Sequence, residues 1–123
     1  MLKGITVRTE FEAFHYWQDA PEEVAFLRNP HRHIFKVSAF LQVFESDREL
    51  EFFMVKKVLD SYLESNYKGK TFSMGCEHIA TDLVKYLQIT YSERRSYVVE
   101  VAEDGENSGS VAIDAFEKII TKE

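Results

Sequence analysis

Alternation in two segments, interrupted by Phe14 in the first and by Ile34, Phe40 and Phe44 in the second, constrains this chain more than any other feature. From residue 4 to residue 15 the odd positions are Ile5, Val7, Thr9, Phe11, Ala13 and His15, while Thr6, Arg8, Glu10 and Glu12 fill even positions. From residue 31 onward the odd positions are His31, His33, Phe35, Val37, Ala39, Leu41 and Val43. Successive side chains of a strand point to opposite faces, so each segment reads as a strand with one mainly apolar face. His15 ends that face in the first strand, and His31 and His33 begin it in the second. If the two strands pair antiparallel, all three imidazoles meet at one end of a sheet. Three converging imidazoles are the ligand set of a catalytic zinc with an open fourth position, which makes His15, His31 and His33 the expected metal ligands.

The fifteen residues from Tyr16 to Pro30 connect these strands. That is long for a hairpin loop, and such loops are usually functional or disordered. Because it starts and ends at the histidines and carries Val24, Ala25, Phe26 and Leu27, we read it as a packed wall or lid. The second strand is expected to reach about residue 45. Ser46 and Glu49 have the spacing of a capping box, predicting a helix to about Ser65 with Leu50, Phe53, Val58, Tyr62 and Leu63 among its apolar positions. Tyr67-Lys68-Gly69-Lys70 breaks it. Ser73 is the expected cap of a second helix over Met74–Leu87, in which Cys76, Ile79, Ala80, Leu83 and Leu87 share one stripe and His78 points away from it. A third strand spans 95–103, its odd face running Tyr97, Val99, Val101 and then Glu103. Residues 104–109 (DGENSG) are turn chemistry, so a fourth strand is expected from Ser110 and a short tail helix over Asp114–Lys122.

The predicted class is therefore α+β, in the order β-β-α-α-β-β, with a four-stranded antiparallel sheet carrying two helices on one face. At 123 residues the chain has the length of one domain, 1–123, able to bury roughly two-thirds of its unfolded surface. An apolar fraction of 45% with 29% charged residues is that of a globular protein rather than a disordered one. A net charge of −6 argues against nucleic acid as the partner. No apolar run approaches membrane-span length and the first residues lack the form of a signal peptide. Cys76 is the single cysteine, so an internal disulfide is excluded. Together these lead us to expect a cytoplasmic protein with no membrane partner.

The motifs in their order resemble the 6-pyruvoyltetrahydropterin synthase family, which includes the 6-carboxytetrahydropterin synthases of the queuosine route. Phe11-Glu12-Ala13-Phe14-His15 resembles the family's F-x-A-x-H strand end, and His31-Arg32-His33-Ile34-Phe35 is similar to its H-G-H-x-[YF] segment, with arginine in place of glycine. Glu51-Phe52 stands where the family has Asp-Phe. Gly75-Cys76-Glu77-His78-Ile79-Ala80 resembles its P-T-x-E-x-[IL]-A helix start, and Val99-Glu100-Val101-Ala102-Glu103 its V-x-V-x-E strand. The resemblance covers nearly the whole chain. It implies the tunnelling fold, in which subunits join sheets edge to edge, so a homo-oligomer (trimer or hexamer) with sites between subunits is expected. It also implies zinc on His15, His31 and His33, a pterin or purine ligand anchored by Glu103, and a ligand-facing second helix start bearing Glu77. A carboxylate suits the amino-pyrimidinone edge because it accepts two parallel hydrogen bonds.

Departures accompany these matches. The family's catalytic cysteine precedes H-G-H, yet Val24-Ala25-Phe26-Leu27-Arg28-Asn29-Pro30 has none, and neither Leu59-Asp60-Ser61 nor 66–72 supplies the family's Asp-His pair. The expected activity is that of a zinc-dependent lyase that eliminates triphosphate from dihydroneopterin triphosphate or a related compound. Its proton would be moved by a relocated group: Glu22 or Glu23 on the loop, or Cys76 or His78 from an adjacent subunit. Cys76 in a helix's first turn is placed to be thiolate. The alternative is a T-fold protein that binds a pterin, purine or nucleotide at the zinc without performing that step.

Overall fold

A computed structural model of the chain describes residues 1–119. The two alternating segments form long strands, β1 (Gly4–His15) and β2 (His31–Gln42), paired antiparallel with His15 opposite His31 and Ala13 opposite His33. The pairing that the alternation required is thus present, and it brings the three histidines to one end. Helix α1 (Phe52–Asn66) follows, then the two-residue strand β3 (Thr71–Phe72), helix α2 (Cys76–Tyr91), and strands β4 (Tyr97–Glu103) and β5 (Asn107–Ile113). The class is α+β, but the sheet has five strands in the order β3-β1-β2-β4-β5, not four.

The additional strand is β3. It runs parallel to β1, with Phe14 opposite Thr71 and His15 opposite Phe72, so the sheet is not wholly antiparallel either. Two residues are too few for alternation to register. What places them is Gly69, whose positive φ of 73° turns the chain after α1, and backbone bonds to β1: Gly69 N–H to the Glu12 carbonyl at 2.8 Å and Phe14 N–H to the Lys70 carbonyl at 2.9 Å. The result covers the edge of β1 beside the histidines, where an open edge invites unwanted pairing.

Both helices lie on the apolar face of the sheet, α1 against β1 and α2 against β4 and β5. Phe11, Phe35, Val37, Leu41, Tyr97 and Val99 from the strands are buried there with Leu59 and Leu63 of α1 and Ile79, Leu83 and Leu87 of α2. All belong to a single apolar cluster. The stripe read on the second helix is buried as expected, Cys76 included. That on the first is shifted: Val55, Leu59 and Leu63 face inward, whereas Phe53 is 80% exposed.

The shift has a physical cause. The Glu49 carboxylate does not fold back to cap a helix at Ser46. It accepts the backbone N–H groups of Phe44 and Glu45, both at 2.9 Å, and pairs with Arg95. Residues 43–51 are consequently irregular, and α1 starts at Phe52 with the Glu51 carboxylate capping the Phe53 and Met54 N–H groups at 2.8 and 3.2 Å. The second helix begins at Cys76, two residues later than Met74, after Gly75 rather than under a serine cap. The β4–β5 turn is also tighter than expected. Asp104 and Gly105 both adopt positive φ (54° and 76°) and Glu106 N–H reaches the Glu103 carbonyl at 2.9 Å, so the Asp-Gly turn closes a three-residue connection, 104–106, and β5 begins at Asn107 opposite Glu103. Residues 114–119 form a turn and extended chain rather than a tail helix; the rest of that expected helix lies outside the described residues. No helix among the described residues is long and apolar enough to cross a membrane.

Candidate metal centre

His15, His31 and His33 each offer a ring nitrogen, and these atoms lie within 4.8 Å of one another. The cluster can therefore hold a metal ion. Strand register puts them there: His15 and His31 are direct cross-strand partners, and His33 is one pleat further along the same face of β2. Phe35 and Phe72 lie against the His15 ring, with centroids 5.2 and 6.4 Å away, giving the group an apolar floor.

The ring orientations are set from outside. His15 Nδ1 lies 3.1 Å from the Met74 carbonyl, His31 Nδ1 2.9 Å from the Asn29 carbonyl, and His33 Nδ1 2.6 Å from an Asp104 carboxylate oxygen. Each of these partners only accepts, so in each neutral ring the proton sits on Nδ1 and the lone pair on Nε2. The Nε2 atoms of His31 and His33 are buried and make no hydrogen bond. Buried polar atoms without a partner are uncommon and ask for an occupant. Inward Nε2 lone pairs with backbone or carboxylate support behind Nδ1 are the arrangement in which histidines hold a metal. Burial, opposed by the Met74 carbonyl and by Glu103, lowers the pKa of His15, favouring the neutral ring that a metal requires. The donor set fits zinc.

Asp104 is the functional residue that sequence reasoning missed, because it read only as turn chemistry. Its left-handed backbone at the hairpin tip sends one carboxylate oxygen to Ile34 N–H at 2.9 Å and the other to His33. The hydrogen bond with His33 is the leading reason its pKa is lowered. Replacing Asp104 by asparagine is expected to weaken metal affinity about 10- to 100-fold, the usual cost of an outer partner of a ligating histidine. Chelator competition against the unmodified protein measures this.

A cavity of about 430 Å³ opens beside the histidines, with His15 and His31 in its wall. Of the connection 16–30, Trp17 and Leu27 line the cavity and are tied by a 2.7 Å backbone bond, Trp17 N–H to the Leu27 carbonyl, whereas Phe26, read as packed, is 71% exposed. Within it, 3₁₀ turns span Glu22–Arg28 with a kink at Val24, and Arg28 donates to the Ala20 carbonyl at 2.7 Å. Glu23 is exposed on these turns and does not line the cavity, and neither does Glu22. Short 3₁₀ turns point them outward, so the loop carboxylates are not brought to the histidines of their own chain.

The first turn of α2 does reach the cavity: Cys76, Glu77 and His78 all line it, as does Glu103. No other chain is needed to bring these side chains to the histidines. Cys76, however, is buried, and burial first, then the Glu103 and Glu77 carboxylates, pushes its thiol up to about 12; a hydrogen bond from the Gly109 backbone opposes the shift only in part. The thiolate favoured by helix position is overruled by burial among carboxylates. Glu77 packs over Gly109, where any Cβ would come within 2.9 Å of the Glu77 backbone nitrogen; β5 approaches α2 this closely only because position 109 lacks a side chain.

No protein-family model matches the chain, and no curated protein matches it.

Proposed function

We propose that the protein is a zinc-dependent lyase of the 6-pyruvoyl/6-carboxytetrahydropterin synthase kind, built on the tunnelling fold and eliminating triphosphate from dihydroneopterin triphosphate or a related pterin or purine. One observation carries this reading: three histidines anchored through Nδ1 bring ring nitrogens within 4.8 Å of one another, and two of them, His15 and His31, line a ligand-sized cavity. The zinc would be held by His15, His31 and His33, where it supplies Lewis acidity toward a substrate hydroxyl. Trp17 and Leu27 offer an apolar wall for a flat ring, and Glu103 an acceptor for its N–H edge. Proton transfer falls to His78, the cavity-lining histidine that is not among the three proposed to hold the metal. We place this protein in the cytoplasm, as a homo-oligomer with its open sheet edges joined, acting on a small molecule and not on nucleic acid.

The state of Cys76 favours a second reading. A thiol held protonated is a poor base or nucleophile, and the family's own proton-transfer residues have no counterpart here. A protein that binds a pterin or purine at the metal without eliminating triphosphate has the same pocket. Triphosphate release from dihydroneopterin triphosphate by the zinc-loaded protein, with His31→Ala run beside it, separates the two. Release that disappears in the variant is the expected result. No release from a protein with stoichiometric zinc and tight pterin binding would establish the second reading instead.

A further inference from the structure

We infer that Glu103 is a fourth protein ligand of the metal, so that in the absence of an organic ligand the ion is held by three imidazoles and a carboxylate. The inference rests on the metal reading above and goes beyond it, because there Glu103 serves only the ligand's ring.

Distance comes first. Glu103 Oε1 is 3.6 Å from His15 Nε2, and Oε2 is 3.2 Å from His33 Nε2. With metal bonds of roughly 2.0–2.2 Å, two ligand atoms at tetrahedral angles lie roughly 3.3–3.6 Å apart. The carboxylate thus stands, from two of the three imidazoles, at about the separation that ligands of a shared ion keep.

Direction is more telling. With Nδ1 of His15 and His33 donating to Met74 and Asp104, each Nε2 of the neutral rings presents a lone pair to the carboxylate. Acceptor then faces acceptor, a repulsion that a metal ion between them would relieve. A bridging proton fits poorly at His33, since a hydrogen bond needs the oxygen near the N–H axis, and His33 Nε2 makes no hydrogen bond although Oε2 is 3.2 Å away. A metal ion reverses that requirement. Nitrogen and oxygen must each aim at a third point, not at one another.

The scaffold also holds the carboxylate in place. Glu103 ends β4 opposite Phe35, and the following residue is locked to Ile34 and His33 through the Asp104 side chain. On its other side the Cys76 thiol lies 3.9 Å from Oε1 as a donor. That contact gives Cys76 a role: as a donor to Oε1 it positions Glu103. An incoming pterin or purine would compete with Glu103 for the ion and find the displaced carboxylate beside its N–H edge.

Cobalt(II) loaded into the whole protein in place of zinc provides the test, by water-proton relaxation and by chelator competition on the parent, Glu103→Gln and Glu103→Ala. A carboxylate ligand keeps exchangeable water off the ion, so low relaxivity is expected for the parent and a severalfold rise for both variants. Their cobalt affinity should fall by more than about tenfold, at least the loss seen when an outer partner is removed. High relaxivity in the parent, unchanged in both variants while all three take up stoichiometric cobalt, would overturn Glu103 as a ligand and leave the histidine site standing. Failure of the parent to take up cobalt or zinc would overturn the metal reading and this inference with it.

Discussion

His15→Ala is expected to abolish metal binding and, with it, the part of thermal stability that depends on metal. His15 is the most buried of the three histidines, at 8% exposure, and its ring touches both of the others, with centroids 4.5 Å from His31 and 5.0 Å from His33. Two imidazoles on β2 alone cannot enclose an ion, and Glu103 would lose its nearest nitrogen on β1. Binding to the folded state alone stabilises it by about 4 kcal/mol when free metal is a thousandfold above the dissociation constant. For a domain of this size each kcal/mol moves the melting temperature by roughly 3–6 °C. Addition of zinc should therefore raise the melting temperature of the parent by roughly 12–24 °C, and chelator should reverse it. The variant, melted with and without zinc, should not respond. A zinc-dependent rise that survives in His15→Ala would place the metal elsewhere on the chain.

The site's frame was legible in the sequence because alternation is a long-range rule. Twelve residues in β1 and twelve in β2 carry one parity each, so a slip by one residue would turn every apolar side chain outward. That fixes which face His15, His31 and His33 share, and Tyr97, Val99 and Val101 place Glu103 on the same face by the same rule. Features that depend on one contact were not legible. Glu49 has the spacing of a capping residue, and only the arrival of Arg95, distant in sequence, decides that its carboxylate goes elsewhere. Asp104 has the composition of a turn, and its bond to His33 exists only because β2 and β4 are neighbours. Cys76 has the position of an activated thiol, and burial beside two carboxylates reverses its chemistry.

Arg95→Ala is expected to be the most damaging single change away from the metal. Its guanidinium binds three parts of the fold at once: the Tyr91 carbonyl at the end of α2 and the Gln42 carbonyl at the end of β2, both at 2.9 Å, and the Glu49 carboxylate. Both charged side chains are largely shielded, with 14% and 19% exposed. Removing one member of such a pair leaves the other charge poorly solvated, and for a partly shielded pair we expect a loss of about 2–3 kcal/mol. In the melt this is roughly 6–18 °C. The loss should depend on pH. Arg95 first, helped by the N–H groups of Glu45 and Phe44, holds the Glu49 carboxyl down at about 2. A lowered carboxyl stabilises the fold above the ordinary carboxylate range, and that contribution fades as pH falls through this range toward 2. Denaturant unfolding of parent and variant at pH 7 and at pH 3 should show the gap between them narrowing in acid. Because Gln42 pairs with Gly4, at the end of β1 and β2 opposite the histidines, zinc affinity in Arg95→Ala should stay within about threefold of the parent, as expected for distant sites that act independently. A larger drop would mean that the two ends of this sheet are coupled, and that the metal site is held by the whole length of β2 rather than by the local register of His15, His31 and His33.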